Sequence, residues 1–278
     1  MSAFVDRITM GCESSQSLVC VGLDPDPELM PVTDVFQFNQ AIVDATADLA
    51  CAYKPNLAFY EALGIAGLEA LELTVAHIRA VAAHALIIGD AKRGDIGPSA
   101  KAYSRAMFHV WGFDAITANA WGGHDTVAPF LEDEARGVFI WCRGSNPGSA
   151  DFQDVEVGDG RDAEPLYRLM AQACSRWNEK GNIGLVAGAT VPEQLNGIRE
   201  ACPDMPLLIP GVGAQGGDLE AAVRRGTDST GRLALINSSR GIIYASSGTD
   251  FAQAARRQAE KLRDDINRIL EADGRGWS

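Results

Sequence analysis

Ala85-Leu86-Ile87-Ile88-Gly89-Asp90-Ala91-Lys92-Arg93-Gly94-Asp95 begins as an apolar run and ends in four charges within six residues. A short apolar run bounded by polar residues and glycine reads as a strand buried on both faces, as in a parallel sheet. Side chains two apart in a strand share a side, so Asp90 and Lys92 can act together, while Asp95 lies where the chain leaves the sheet. Buried charges cost free energy unless paired, so an alternating cluster at a strand end is hard to explain as packing. A structural ion-pair network is the competing explanation.

The pattern repeats outward from this strand. Candidate strands lie at 18–23, 51–55, 85–89, 115–118, 138–142, 183–187, 207–209 and 233–236. Helical periodicity falls between them at 38–49, 61–84, 99–111, 126–131, 165–179, 192–201, 218–225 and 251–270. Such alternation marks parallel strands joined by crossover helices, and eight units predict an α/β fold, a single (β/α)₈ TIM barrel over residues 1–278. An open doubly wound sheet is the rival, but no Gly-x-Gly-x-x-Gly loop follows the first strand. In a barrel the C-terminal strand ends carry the chemistry. Leu23 is followed by Asp24 and Tyr53 by Lys54, so these charges should converge with those of the third strand on one opening.

Composition excludes several classes of function. The chain carries 24 Lys and Arg against 37 Asp and Glu, a net charge of −13, which argues against a general nucleic-acid binder. Hydrophobic content of 46% and charged content of 22% are those of a soluble domain. No run of about eighteen apolar residues could span a bilayer, so no membrane role is expected. Met1-Ser2-Ala3-Phe4-Val5-Asp6-Arg7 has no secretory pattern, and a cytoplasmic protein is expected. The six cysteines form no Cys-x-x-Cys pair and read as reduced, mostly buried thiols. His77 and His84 read as surface or packing residues, and Trp111, Trp121, Trp141 and Trp177 as core or rim aromatics.

A second polar cluster comes late. Pro210-Gly211-Val212-Gly213-Ala214-Gln215-Gly216-Gly217 follows the seventh candidate strand, and Asn237-Ser238-Ser239-Arg240-Gly241 the eighth. These are the usual phosphate positions of a barrel: glycine lets backbone N–H groups approach phosphate oxygens, and Arg240 adds a planar donor. The Gly-, Ser- and Asp-rich connection 143–164 is long enough to be an active-site loop, or else a surface insertion. Residues 271–278 read as a frayed tail.

With these parts placed, the chain resembles the orotidine 5′-monophosphate decarboxylase family from first strand to last helix. Asp90, Lys92, Asp95 and Ile96 match its Asp-x-Lys-x-x-Asp-Ile motif, preceded by Lys54. Val21-Gly22-Leu23-Asp24-Pro25-Asp26, Tyr53-Lys54-Pro55-Asn56, Ser145-Asn146-Pro147-Gly148 and Gly188-Ala189-Thr190 look like the longer bacterial branch. The resemblance implies that Asp24 and Lys54 hold ribose hydroxyls, Lys92 protonates pyrimidine C6, and Asp90 sits against the departing carboxylate. It places Ser145 on the pyrimidine amide edge, Gln215 and Arg240 on the phosphate, and Thr190 and Asn119 among the remaining candidates. It also implies a homodimer, in which Asp95, Ile96 and Ser99 reach the neighbouring subunit's site.

The implied reaction converts orotidine 5′-monophosphate to UMP and CO₂, the last step of de novo pyrimidine synthesis, with no cofactor and no metal. Loss of CO₂ leaves electrons in an orbital the ring delocalises poorly, so the barrier must fall electrostatically. At about 4 Å and an effective dielectric near 20, one ammonium–carbanion contact supplies about 4 kcal/mol, so further effects are required. Three other readings stay open from the residues: a Mg²⁺-dependent sugar-phosphate enzyme sharing the motif, a Schiff-base aldolase, and a non-catalytic sensor of a phosphorylated metabolite.

Overall fold

The first candidate strand becomes β1 (Val19–Leu23), and all five of its residues are buried, one side facing the barrel interior and the other the surrounding helices. A computed structural model describes residues 2–160, 163–212 and 217–277. Seven further barrel strands follow the sequence reading: β2 (Ala52–Pro55), β3 (Leu86–Arg93), β4 (Ala115–Ala118), β5 (Gly137–Arg143), β8 (Ile183–Ala187), β9 (Leu207–Pro210) and β10 (Ala234–Ser238). A short antiparallel hairpin, β6 (Glu156–Val157) with β7 (Glu164–Pro165), lies between β5 and β8. The barrel closes in the order β1-β10-β9-β8-β5-β4-β3-β2, with every barrel pairing parallel. This is the expected single-domain (β/α)₈ barrel.

An element outside the eight-unit pattern closes the bottom. The helix Ala3–Ser15 is capped by Ser2, whose hydroxyl accepts the Val5 N–H, and it presents Phe4 to the barrel floor. Phe4 meets Phe139 edge-to-face at 5.9 Å. Gly137 is needed there, because a Cβ on it would lie 1.9 Å from the Phe4 ring.

Other departures have local causes. The expected fourth helix resolves into two 3₁₀ turns, His124–Thr126 and Ala128–Phe130, because Pro129 supplies no N–H to continue a helix. The expected helix 99–111 is the helix Gly97–Arg105 continued by a π turn, Ala106–Val110. Residues 273–277, where the sequence suggests fraying, make specific contacts. Arg232 lies 3.6 Å over the Trp277 ring, the Trp277 indole N–H donates to Asn267, and Arg275 donates to Thr227. Among the described residues no helix is long and apolar enough to cross a membrane.

Candidate active site

β1, β2 and β3 deliver their charges to the C-terminal mouth of the barrel. Lys54 is buried, with its side chain 5% exposed, and its Nζ lies 2.9 Å from Asp90 Oδ2 and 4.0 Å from Asp24 Oδ1. Lys92 Nζ donates to the other oxygen, Asp90 Oδ1, at 2.7 Å. Thr117, on β4, donates its hydroxyl to that same Oδ1 at 2.8 Å. Asp90 therefore joins two ammonium groups and a hydroxyl.

Burial by itself opposes both charges in this pair. It would lower the Lys54 ammonium, but Asp90 and then Asp24 outweigh it and raise Lys54 well above its ordinary value. Burial likewise pushes the Asp90 carboxyl up, but Lys54 and Lys92 hold it well below the usual carboxylate range. At neutral pH the pair is an ion pair in a desolvated setting, where electrostatic interactions are strengthened. Lys92 differs from Lys54 in exposure: its side chain is 43% exposed and faces the cavity.

β5, β8, β9 and β10 complete the mouth. A cavity of ≈ 290 Å³ is lined by Asp24, Lys54, Asp90 and Lys92 and by Ser145, Asn146 and Arg240. Arg240 begins the short helix Arg240–Ile243 just past β10, and its guanidinium makes no hydrogen bond or ion pair with the described residues. Gly22 in β1 allows Ser239 to close in, since a Cβ there would meet the Ser239 Cβ at 2.6 Å. The long connection after β5 is anchored by Arg143, which is 4% exposed. Its guanidinium donates to Gly144 O, Ser149 Oγ and Asp154 Oδ2. With the helix Ala150–Gln153 and the β6–β7 hairpin, this connection has more internal order than its composition suggests.

Of the residues singled out from the sequence, Asp24, Lys54, Asp90, Lys92, Ser145 and Arg240 meet in one cavity. Thr190 stands behind it, donating its hydroxyl to Ser145 O at 3.0 Å. Asn119 lines a neighbouring apolar cavity and accepts the Trp121 N–H. Asp95, Ile96 and Ser99 do not line this chain's cavity. Ile96 is 61% exposed, and the Asp95 carboxylate accepts the Ile96 N–H. Gln215 lies outside the described residues. Sequence reasoning missed Asn56, Thr117, Asn237 and Ser239, which also line the cavity. Thr117 carried little signal, because a β-branched residue inside Ala115-Ile116-Thr117-Ala118 is ordinary strand material. Asn237 and Ser239 sat inside the late polar cluster without being distinguished from their neighbours.

Known proteins resemble this chain over nearly its whole length. Residues 17–257 match the model of the "Orotidine 5′-phosphate decarboxylase / HUMPS family". The orotidine 5′-phosphate decarboxylase of Dehalococcoides mccartyi (strain ATCC BAA-2266 / KCTC 15142 / 195) is 50% identical over 265 residues, spanning 95% of this chain and 97% of that protein. The orotidine 5′-phosphate decarboxylase of Roseiflexus sp. (strain RS-1) is 49% identical over 276 residues, 97% of this chain and 99% of its own. The solved structure of Leishmania donovani OMP decarboxylase superposes with a TM-score of 0.83 at 36% identity, covering 97% of this chain and 98% of the other.

Proposed function

Because the chain belongs to the orotidine 5′-phosphate decarboxylase / HUMPS family, we propose that it converts orotidine 5′-monophosphate to UMP and CO₂ as the last step of pyrimidine nucleotide synthesis. The observation that carries this reading is the alternating Lys54–Asp90–Lys92 array at the mouth of the barrel, sharing a cavity of ≈ 290 Å³ with Arg240. The array supplies fixed charge where charge develops, and the arginine supplies a phosphate anchor at the other end.

In this reading Arg240 and Gln215 grip the phosphate, Asp24 and Lys54 hold the ribose hydroxyls, and Ser145 meets the pyrimidine amide edge, with Thr190 fixing its backbone. Asp90 opposes the departing carboxylate. Lys92, the more exposed ammonium of the array, stabilises the C6 carbanion and then protonates it. Neither a metal nor a cofactor takes part. Binding energy from the phosphate closes the 143–164 loop, organises the charges and excludes water. The working enzyme is a cytoplasmic homodimer, in which Asp95, Ile96 and Ser99 of each subunit complete the other's site. Support for this arrangement is their position outside the lining of their own cavity and the exposure of Ile96.

Orotidylate turnover is followed directly by the fall in ultraviolet absorbance as it becomes UMP. Flat absorbance overturns the proposal. Activity that disappears with a chelator and returns with Mg²⁺ favours the sugar-phosphate side of the family instead. A substrate lacking the phosphate should lose turnover at saturation as well as affinity. A loss confined to affinity refutes the role given to phosphate-driven closure.

A further inference from the structure

Lys92 is one of three described residues other than glycine with positive φ, at +47°. That left-handed conformation is disfavoured for any residue carrying a Cβ, so neighbouring contacts must hold it. It lies within an irregular stretch of β3. Gly89 pairs with Ile116 and Arg93 with Ala118, so the residues between them on β3 outnumber the one residue, Thr117, between their partners on β4. The regular ladder does not reach Lys92 across this bulge, and the Thr117 side chain stands in for it. The Thr117 Oγ1 accepts the Lys92 backbone N–H at 3.0 Å.

The same hydroxyl donates to Asp90 Oδ1 at 2.8 Å, and Asp90 Oδ1 accepts Lys92 Nζ at 2.7 Å. One buried hydroxyl, on a residue 2% exposed, thus ties the backbone of Lys92 to the carboxylate that holds its own ammonium. We propose that Thr117 is a positioning residue for the decarboxylation, fixing both ends of Lys92 so that its ammonium is aimed at the reacting carbon. This role rests on the decarboxylase reading given above.

Thr117→Val keeps the shape and removes the hydroxyl. It should lower kcat about 10- to 100-fold, the effect of losing one hydrogen bond to a charged group, while KM for orotidylate changes less than about threefold. Thr117→Ser, which restores the hydroxyl without the methyl, should return kcat to within about threefold of the wild type. If Thr117→Val fails to fold, Thr117→Ala is compared with Thr117→Ser in the same assay. Wild-type kcat in the valine or alanine variant, a loss confined to KM, or a serine variant as impaired as the alanine one overturns the role. Wild-type turnover with an unimpaired Thr117→Val enzyme removes this inference alone. A wild-type chain that leaves orotidylate untouched removes the decarboxylase reading, and this role with it.

Discussion

Asp90→Asn isolates the charge at the centre of the array, because it keeps the shape of the side chain and removes its ionisation. Lys54, with its side chain 5% exposed, would be left with Asp24 as its nearest carboxylate, at 4.0 Å. Removing one partner of a buried ion pair typically costs about 3–5 kcal/mol, and the surviving Asp24 places this case near the lower end, about 3 kcal/mol. With a urea slope of about 3 kcal/mol/M, the unfolding midpoint should drop by about 1 M at neutral pH. Both proteins must be compared at one protein concentration, since an oligomer's stability depends on it. The pH dependence gives a sharper test. The depressed Asp90 carboxyl contributes stability that is present above its unfolded value of about 3.9 and is lost as pH falls through its folded value. The raised Lys54 contributes stability that is present below its unfolded value of about 10.4 and is lost as pH rises through its folded value. Asp90→Asn removes the carboxylate that raises Lys54 most, so burial is opposed chiefly by Asp24 and Lys54 holds its proton less tightly than in the wild type. The native variant then releases that proton at lower pH than the native wild type, so the stability gap between them should narrow as pH rises toward about 10. Urea titrations followed by tryptophan fluorescence at pH 7 and 9.5 measure both effects. Equal midpoints at pH 7, or a gap that stays constant or widens at pH 9.5, would refute the reasoning.

Three further outcomes follow from the site. Lys92→Ala should lower kcat by about a thousandfold or more, the equivalent of about 4 kcal/mol, yet bind UMP with only modest weakening; calorimetric titration and the absorbance assay separate the two. Arg240→Ala should raise KM about 10- to 100-fold through loss of charged hydrogen bonds to phosphate, with partial recovery on adding guanidinium; an unchanged KM removes Arg240 from the phosphate site. Mixing inactive Asp95→Ala and Lys54→Ala subunits should regenerate activity, because a heterodimer holds one site with both residues intact. Absence of any complementation counts against a site shared between subunits.

The barrel was legible because each strand is a short apolar run flanked by turn residues, and a strand buried on both faces tolerates little else. Its edges were less legible where pairing rather than composition decides them. β3 runs on to Arg93 because Arg93 rejoins β4 opposite Ala118 after the bulge, and no apolar pattern marks that. The floor helix Ala3–Ser15 lay outside the repeating unit, and its packing partner is a glycine, Gly137, whose need shows only when Phe4 is in place. In the site, charges announced themselves because burying them demands partners, and Asp24, Lys54, Asp90 and Lys92 do meet. Thr117 stayed hidden because its part depends on a register shift in the neighbouring strand.

That hidden contact bears on how the proposed reaction gains its driving force. Both oxygens of Asp90 are committed, Oδ2 to Lys54 and Oδ1 to Lys92 and Thr117. An incoming substrate carboxylate close to Asp90 cannot push it aside without breaking hydrogen bonds to two ammonium groups and a buried hydroxyl. At about 4 Å and an effective dielectric near 20, that repulsion is about 4 kcal/mol, and departure of CO₂ relieves it. In the reaction proposed above the same contacts would hold Lys92 where the carbanion develops, so that attraction in the transition state and repulsion in the ground state would share one scaffold. A substitution at Asp90 therefore changes both together, whereas one at Thr117 leaves the charges in place and loosens only their aim. Comparing kcat for Asp90→Asn and Thr117→Val thus weighs the charge of the array against its geometry.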